Sequence, residues 1–228
     1  MKTISFYGKD YAVDNQNFLV DPASWDENFA NGMAAMLNMT GGLTDKHWEI
    51  ITFIRDAFAR TSICPVVHET CKALGLKAKD LKAFFPTGYL RGACLISGIS
   101  YKYGWVYHTE EPYNVETSGK TVLKTVTPSM GKVYRVNLFG NLVDPGEWDE
   151  AFAARRAYEM NIRPGLTEKH WRIIRYLRDY YLKNQSIPTI FDCCEDCEVE
   201  IDEIGELFPS GYHRCAVIIA GLPIYGEA

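Results

Sequence analysis

The chain has 228 residues, 47% of them apolar, with 24 Lys and Arg against 29 Asp and Glu and seven cysteines. This is enough to bury two modest cores, but it gives neither the basic surplus that phosphate-backbone binding draws on nor an apolar run long enough to span a bilayer. No secretory leader pattern is present, so the expectation is a soluble, cytoplasmic protein whose cysteines are reduced thiols rather than a disulfide framework.

From the start, Ile4 to Val13 alternates around Tyr7-Gly8-Lys9-Asp10 and predicts a β-hairpin. Asp21 before Pro22 reads as an N-cap followed by proline at the first helical position, with Trp25, Phe29, Met33 and Met36 or Leu37 at helical spacing. Thr44 caps the next helix. Asp45 lies in its first turn, where the helix dipole favours a carboxylate, and Trp48, Ile51 and Ile54 or Phe58 run down one side. Pro65 restarts the chain as a third helix after a short break, an order that resembles a helix-turn-helix. Phe85-Pro86-Thr87-Gly88-Tyr89 opens a last apolar helix that stops at Gly98. Residues 106–123, rich in Thr, Glu, Gly and Ser, read as a linker.

The same elements then return. At an offset of 123 positions Gly8 aligns with Gly131, Asp21-Pro22 with Asp144-Pro145, Arg55-Asp56 with Arg178-Asp179 and Phe85-Pro86 with Phe208-Pro209. Leu43-Thr44-Asp45-Lys46-His47-Trp48 becomes Leu166-Thr167-Glu168-Lys169-His170-Trp171. Residues 1–105 and 124–228 share 35 of 105 paired positions without a gap, which marks the duplication of a whole domain rather than a solenoid repeat. The predicted fold class is mainly α with small β-hairpins (α+β). It comprises two tandem domains, 1–105 and 124–228, each a hairpin plus a helical bundle, expected as a pseudo-twofold pair in a monomer. Trp25, Trp48, Trp148 and Trp171 are expected to be largely buried.

Three motifs in order carry a resemblance to a known family. They are Phe18-Leu19-Val20-Asp21-Pro22 with Trp25, Leu43-Thr44 with His47-Trp48 and Ile50-Ile51, and Phe85-Pro86 with Gly88, Ala93-Cys94 and Gly98. Together they resemble the DsrC/TusE sulfur-relay family, which includes the gamma subunit of dissimilatory sulfite reductase and a component of tRNA thiolation. The resemblance covers both copies nearly end to end. It implies a hairpin followed by a helical bundle with a helix-turn-helix-like core, sulfur-transfer or sulfite-reductase-type partners, and no cofactor. It also implies a sulfur-carrying cysteine on a C-terminal arm, with a second cysteine eleven residues earlier. In the first copy the earlier position is Cys94 and the arm position is Trp105; in the second they are Val217 and Ala228. Neither copy has the carrier thiol.

Among the remaining thiols, Cys94 lies one helical turn after Arg91, whose guanidinium would favour the thiolate, and is the first candidate sulfur acceptor. The bland reading is a small residue packed in an apolar helix. Cys215 follows His213 and Arg214 and is the second candidate, although it stands two residues before the family position. Cys71 and Cys194 match across the copies as core sites. Cys193, Cys194 and Cys197 have zinc-ligand types, but their acidic neighbours disfavour thiolates and no second pair confirms the spacing, so no metal is assigned. His47 and His170 are read as orienting the chain by hydrogen bonding rather than as catalytic groups.

Two functions follow. One is a non-enzymatic sulfur-relay protein that binds or modulates sulfur-transfer partners, with Cys94 as a possible acceptor. The alternative is a regulator binding DNA through the first copy, where Lys72, Lys77, Lys79 and Lys82 would tolerate phosphates. The matching region of the second copy is acidic, with Asp192, Glu195, Asp196, Glu198, Glu200, Asp202 and Glu203, and should be repelled. No phosphate loop or Ser-His-Asp signature points to an enzyme.

Overall fold

In a computed structural model that describes residues 2–103, 124–126, 134–137 and 139–223, the chain begins with strand β1 (Lys2–Phe6), antiparallel to β2 (Lys9–Val13). Phe6 pairs with Lys9, leaving a two-residue turn in which Tyr7 and Gly8 both take positive φ, at 52° and 79°. That is the backbone twist a tight hairpin needs, and it is why a glycine stands there.

Asp21 does cap a helical turn, but only the three-residue 3₁₀ turn Pro22–Ser24, by accepting from Ala23 N–H at 2.9 Å. The helix proper, α1 (Glu27–Met36), starts later. Its cap is Asp26, whose Oδ1 accepts from Phe29 N–H at 2.9 Å and from the Tyr11 hydroxyl at 2.6 Å. Trp25 therefore sits on the turn before the helix and not on its apolar stripe. Asp26 also takes Lys9 Nζ at 2.6 Å. Its desolvation is outweighed by these bonds, which hold the carboxyl down to about 2, while burial and Asp26 push the Tyr11 phenol up to about 12. The cap thus ties α1 to the hairpin.

Helix α2 (Asp45–Thr61) buries Ile50, Ile51 and Ile54. At its start His47 Nδ1 accepts from Thr44 N–H at 3.0 Å, so the ring proton is on Nε2, which donates to Phe84 O at 3.0 Å. One imidazole caps one helix at its N-terminus and satisfies the end of another. A break leads to α3 (Val67–Leu74) and α4 (Ala78–Phe84).

The last apolar segment departs from the α-helix expected. Tyr89–Cys94 is π-helical, with Leu95 N–H donating to Leu90 O five residues back, before one short α turn ends at Gly98. Gly98 has φ +67°, and a Cβ there would lie 2.7 Å from Leu19 Cδ1 and 2.8 Å from Trp25 Cδ1, so only glycine fits.

The second copy repeats this plan. Strand β3 (Lys124–Val126) pairs with β4 (Tyr134–Val136), followed by a 3₁₀ turn at Pro145–Glu147 and helices α5 (Glu150–Glu159), α6 (Glu168–Asn184), α7 (Ile190–Asp196) and α8 (Ile201–Leu207). A π-helical Tyr212–Ala216 leads into α9 (Val217–Ile219), and Gly221 ends the run with φ +67°. The gapless offset fails at one place. Val13 pairs with Lys2, but its counterpart Val136 pairs with Lys124, one residue further from it than the offset of 123 requires. The second hairpin therefore carries one extra residue.

The described residues form two units, the first built on 2–103 and the second on 134–188 and 192–223. The first core gathers Tyr11, Val13, Phe29, Ile50 and Ile54; in the second, Tyr134, Val136, Leu142 and Phe152 cluster with Trp148 against them. No helix among the described residues is long and apolar enough to cross a membrane.

Candidate functional site: thiols around a buried tyrosine

The C-terminal carbonyls of the last helix, which lack intrahelical donors, are met by a clasp present in both copies. Trp25 Nε1–H donates to Ile96 O at 2.9 Å, and Arg55 donates to Ser97 O at 2.9 Å and to Pro22 O at 3.4 Å, with its guanidinium 4.0 Å from the Trp25 ring. In the second copy Trp148 reaches Ile219 O at 2.9 Å, and Arg178 reaches Ala220 O at 2.8 Å and Pro145 O at 3.2 Å, 4.1 Å from the Trp148 ring. Trp25, Trp48, Trp148 and Trp171 are all only partly buried, where they were expected to be largely buried, and for Trp25 and Trp148 this bonding role is the reason. An indole that must present its N–H to a backbone carbonyl and its face to a guanidinium stays near the surface.

The clasp fixes the π-helical segment, whose first residue is the tyrosine of Phe-Pro-x-Gly-Tyr. Tyr89 is buried. Its hydroxyl donates to Pro65 O at 3.1 Å and lies 2.7 Å from Thr70 Oγ1. Burial, with the neighbouring sulfurs of Cys94 and Cys64, pushes its phenol well above the usual range. Cys94 ends the segment with no exposed surface, and its Sγ lies 3.7 Å from that of Cys64, which is 1% exposed. Arg91, the predicted activator, is exposed at the surface while the thiol it was to serve is buried. Cys71 is buried in α3. Trp105 and Ala228, at the arm positions implied by the resemblance, lie outside the described residues, as does the linker 106–123.

In the second copy Tyr212 repeats the bond, donating to Pro188 O at 3.1 Å. Its surroundings differ. Thr70 is replaced by Cys193, which is fully buried and hydrogen-bonded to Cys197 and within reach of Tyr212. As the donor of that bond, and through burial, Cys193 is pushed far up, whereas Cys197 as the acceptor is held below its usual value with help from the Arg172 charge. The acidic neighbours expected to suppress these thiols count for less, since Asp196 is the weakest influence on Cys197 and Tyr176 O–H donates to it at 2.7 Å. Cys215 is also fully buried, and burial pushes its thiol up to about 12. His213 and Arg214 beside it are half-exposed. All seven cysteines are unbridged and buried. Among the described residues no group of three or more His, Cys, Asp and Glu is arranged to hold a metal ion.

Sequence reasoning did not single out Cys64, Thr70 or Tyr89. A signal was present: Tyr89 and Tyr212, like Pro65 and Pro188, recur at the common offset, and Cys64 stands directly before Pro65, whose carbonyl accepts the tyrosine's hydrogen bond.

Hairpin, capped helices, clasp and wide terminal turn together define a twice-repeated α+β domain that buries thiols beside a tyrosine. The DsrC like protein family model matches residues 5–103 and again residues 129–225. The chain belongs to this family, and carries it twice. Among curated relatives, the dissimilatory-type sulfite reductase subunit gamma of Nitratidesulfovibrio vulgaris is 28% identical over 102 residues, 43% of this chain and 93% of its own length. The sulfurtransferase TusE of Pectobacterium atrosepticum is 28% identical over 103 residues, covering 42% and 93%. Among solved structures, the oxidized gamma subunit of dissimilatory sulfite reductase from Archaeoglobus fulgidus is 36% identical, covering 46% of this chain and 97% of that one with a TM-score of 0.40.

Proposed function

We propose that this chain is a sulfur-relay or sulfite-reductase-associated protein that docks on sulfur-transfer partners, with Cys94 as the acceptor of a sulfane sulfur. The observation that carries this reading is the double family match, together with a stretch of 102 or 103 residues that spans 93% of relatives named as a sulfite reductase subunit or a sulfurtransferase. Cys94 is supported as acceptor because its thiol is held beside the Tyr89 hydroxyl and a second sulfur, polar partners in an otherwise apolar segment. Domain boundaries near 1–105 and 124–228 accord with this reading, each domain being a separate docking unit.

The DNA-binding alternative draws only on exposed Lys72, Lys77 and Lys79, and the matching stretch of the second copy exposes Glu195, Asp196, Glu198, Glu200 and Asp202 instead.

The test is to incubate the full chain with a persulfide-charged sulfurtransferase and map sulfur by mass spectrometry. Gain of one sulfur atom on the Cys94 peptide, lost in Cys94→Ser, is expected. No gain on any cysteine and no co-migrating complex would refute the relay reading.

A further inference from the structure

A second thiol lies against Cys94, and it belongs to neither copy's arm. It is Cys64, in the break between α2 and α3, held next to Pro65 with its Sγ 3.7 Å from Cys94 Sγ and donating to Pro65 O at 3.7 Å. We infer that Cys64 is the resolving thiol of a buried dithiol site, attacking the Sγ of persulfidated Cys94 and expelling the outer sulfur to close an internal Cys64–Cys94 disulfide. The inference rests on the acceptor reading of Cys94 above.

Two sulfurs at van der Waals contact need to approach by less than a bond length to reach the roughly 2.05 Å of a disulfide. Both are buried, Cys94 with no exposed surface and Cys64 at 1%, so once sulfur is on Cys94 the Cys64 thiol lies against it. Tyr89 joins the two partners. Its hydroxyl bonds the carbonyl of Pro65, adjacent to Cys64, and faces Cys94 from the start of the same π-helical segment. The equivalent positions in the second copy are Ile187 and Val217, so the site exists once per chain.

The chemistry balances with a low-molecular-weight persulfide as donor. Cys94 thiolate attacks the outer sulfur of the donor, whose S–S bond breaks as a new one forms at Cys94 Sγ, and the donor leaves as a thiolate. Cys64, giving up its proton, then attacks Cys94 Sγ, and the bond to the outer sulfur breaks, releasing hydrosulfide. The sulfane sulfur gains two electrons and the dithiol loses two. A dithiol reductant returns the pair to its starting state.

The experiment uses the full reduced chain with glutathione persulfide, and in a parallel arm with glutathione disulfide, followed by non-reducing peptide mapping and a sulfide assay. The expected result in wild type is a crosslink between the Cys64 and Cys94 peptides in both arms and sulfide release in the persulfide arm. Cys64→Ser should retain one extra sulfur on Cys94 and release sulfide only at background, and Cys64→Ala serves if the serine variant does not fold. If wild type keeps the extra sulfur on Cys94 with no crosslink in either arm, Cys64 is not a resolving thiol, although the acceptor reading survives. If the crosslink forms with glutathione disulfide while Cys94 never gains sulfur from the persulfide, the dithiol survives as a redox pair and the acceptor reading fails. Absence of the crosslink in both arms with unmodified Cys94 overturns both.

Discussion

Tyr89 and Tyr212 occupy the same place in the two copies, and each donates a hydrogen bond to a proline carbonyl at 3.1 Å. Around Tyr89 stand Thr70, Cys64 and Cys94, and around Tyr212 stand Cys193 and, bonded to it, Cys197. The frame that holds the tyrosines is the same in both: the tryptophan bond to the helix end is 2.9 Å in each, and the arginine bond beside it differs by no more than the second digit shows. What changes is which neighbour carries sulfur. Frame and thiol chemistry are therefore separable in this fold, and one chain holds two solutions on one scaffold.

Four measurements press on that separation. The largest effect belongs to the clasp: Trp25→Ala and Trp148→Ala should each destabilise their own unit by about 3 kcal/mol, since each removes a packed ring and leaves backbone carbonyls without donors. Local hydrogen exchange in α2 and α6 would read the two losses, and a difference above about 1 kcal/mol would mean the frames are not equivalent. Next, Tyr89→Phe should cost about 1.5 kcal/mol and Tyr212→Phe less, because the first loses an oxygen–oxygen bond to Thr70 where the second loses only a weak contact to sulfur. Equal losses by denaturant titration would show that the neighbour does not matter.

Thiol reactivity separates the cysteines of the second copy. Alkylation near neutral pH, timed and mapped, should find Cys197 at least about tenfold faster than Cys215, whose thiol is pushed up to about 12 while Cys197 is lowered. The reverse order would place control with access rather than with proton affinity.

The smallest effect is at His170. Its Nδ1 accepts from Thr167 N–H at 3.1 Å, which requires the neutral ring, and burial, partly opposed by the bond to Leu207 O, lowers its pKa below 6.5. A folded value below the unfolded one means that this contribution is complete above pH 6.5 and is lost as pH falls through the folded value. The thermal stability of the second unit should therefore fall on acidification below pH 6.5, and His170→Gln should flatten the slope.

Much of this was legible in the residues. Period, capping threonines and stop glycines placed most helices, because each rests on a local rule with one solution. The start of α1 is not fixed by a local rule, because Asp21 and Asp26 both offer capping oxygens five residues apart; each caps a turn, and only the second opens an α-helix. The hairpin slip had a local signal in Lys2-Thr3 recurring as Lys124-Thr125, an offset of 122 that the dominant 123 concealed. The sulfur contact had none, since Cys64 and Cys94 lie thirty residues apart and meet only through the path of the chain.

The wide turn ending at Cys94 holds one surplus residue compared with an α-helix, as single π turns do. If that surplus were expelled, the segment before it would rotate by about 100° relative to the residues after it, the angle one residue occupies in an α-helix. Trp25 and Arg55 pin the carbonyls of Ile96 and Ser97, so the downstream part is anchored and the rotation would fall on Tyr89–Cys94. Such a register step would turn the segment that carries the buried thiol within six residues and would leave the hairpin, the capped helices and the clasp where they are.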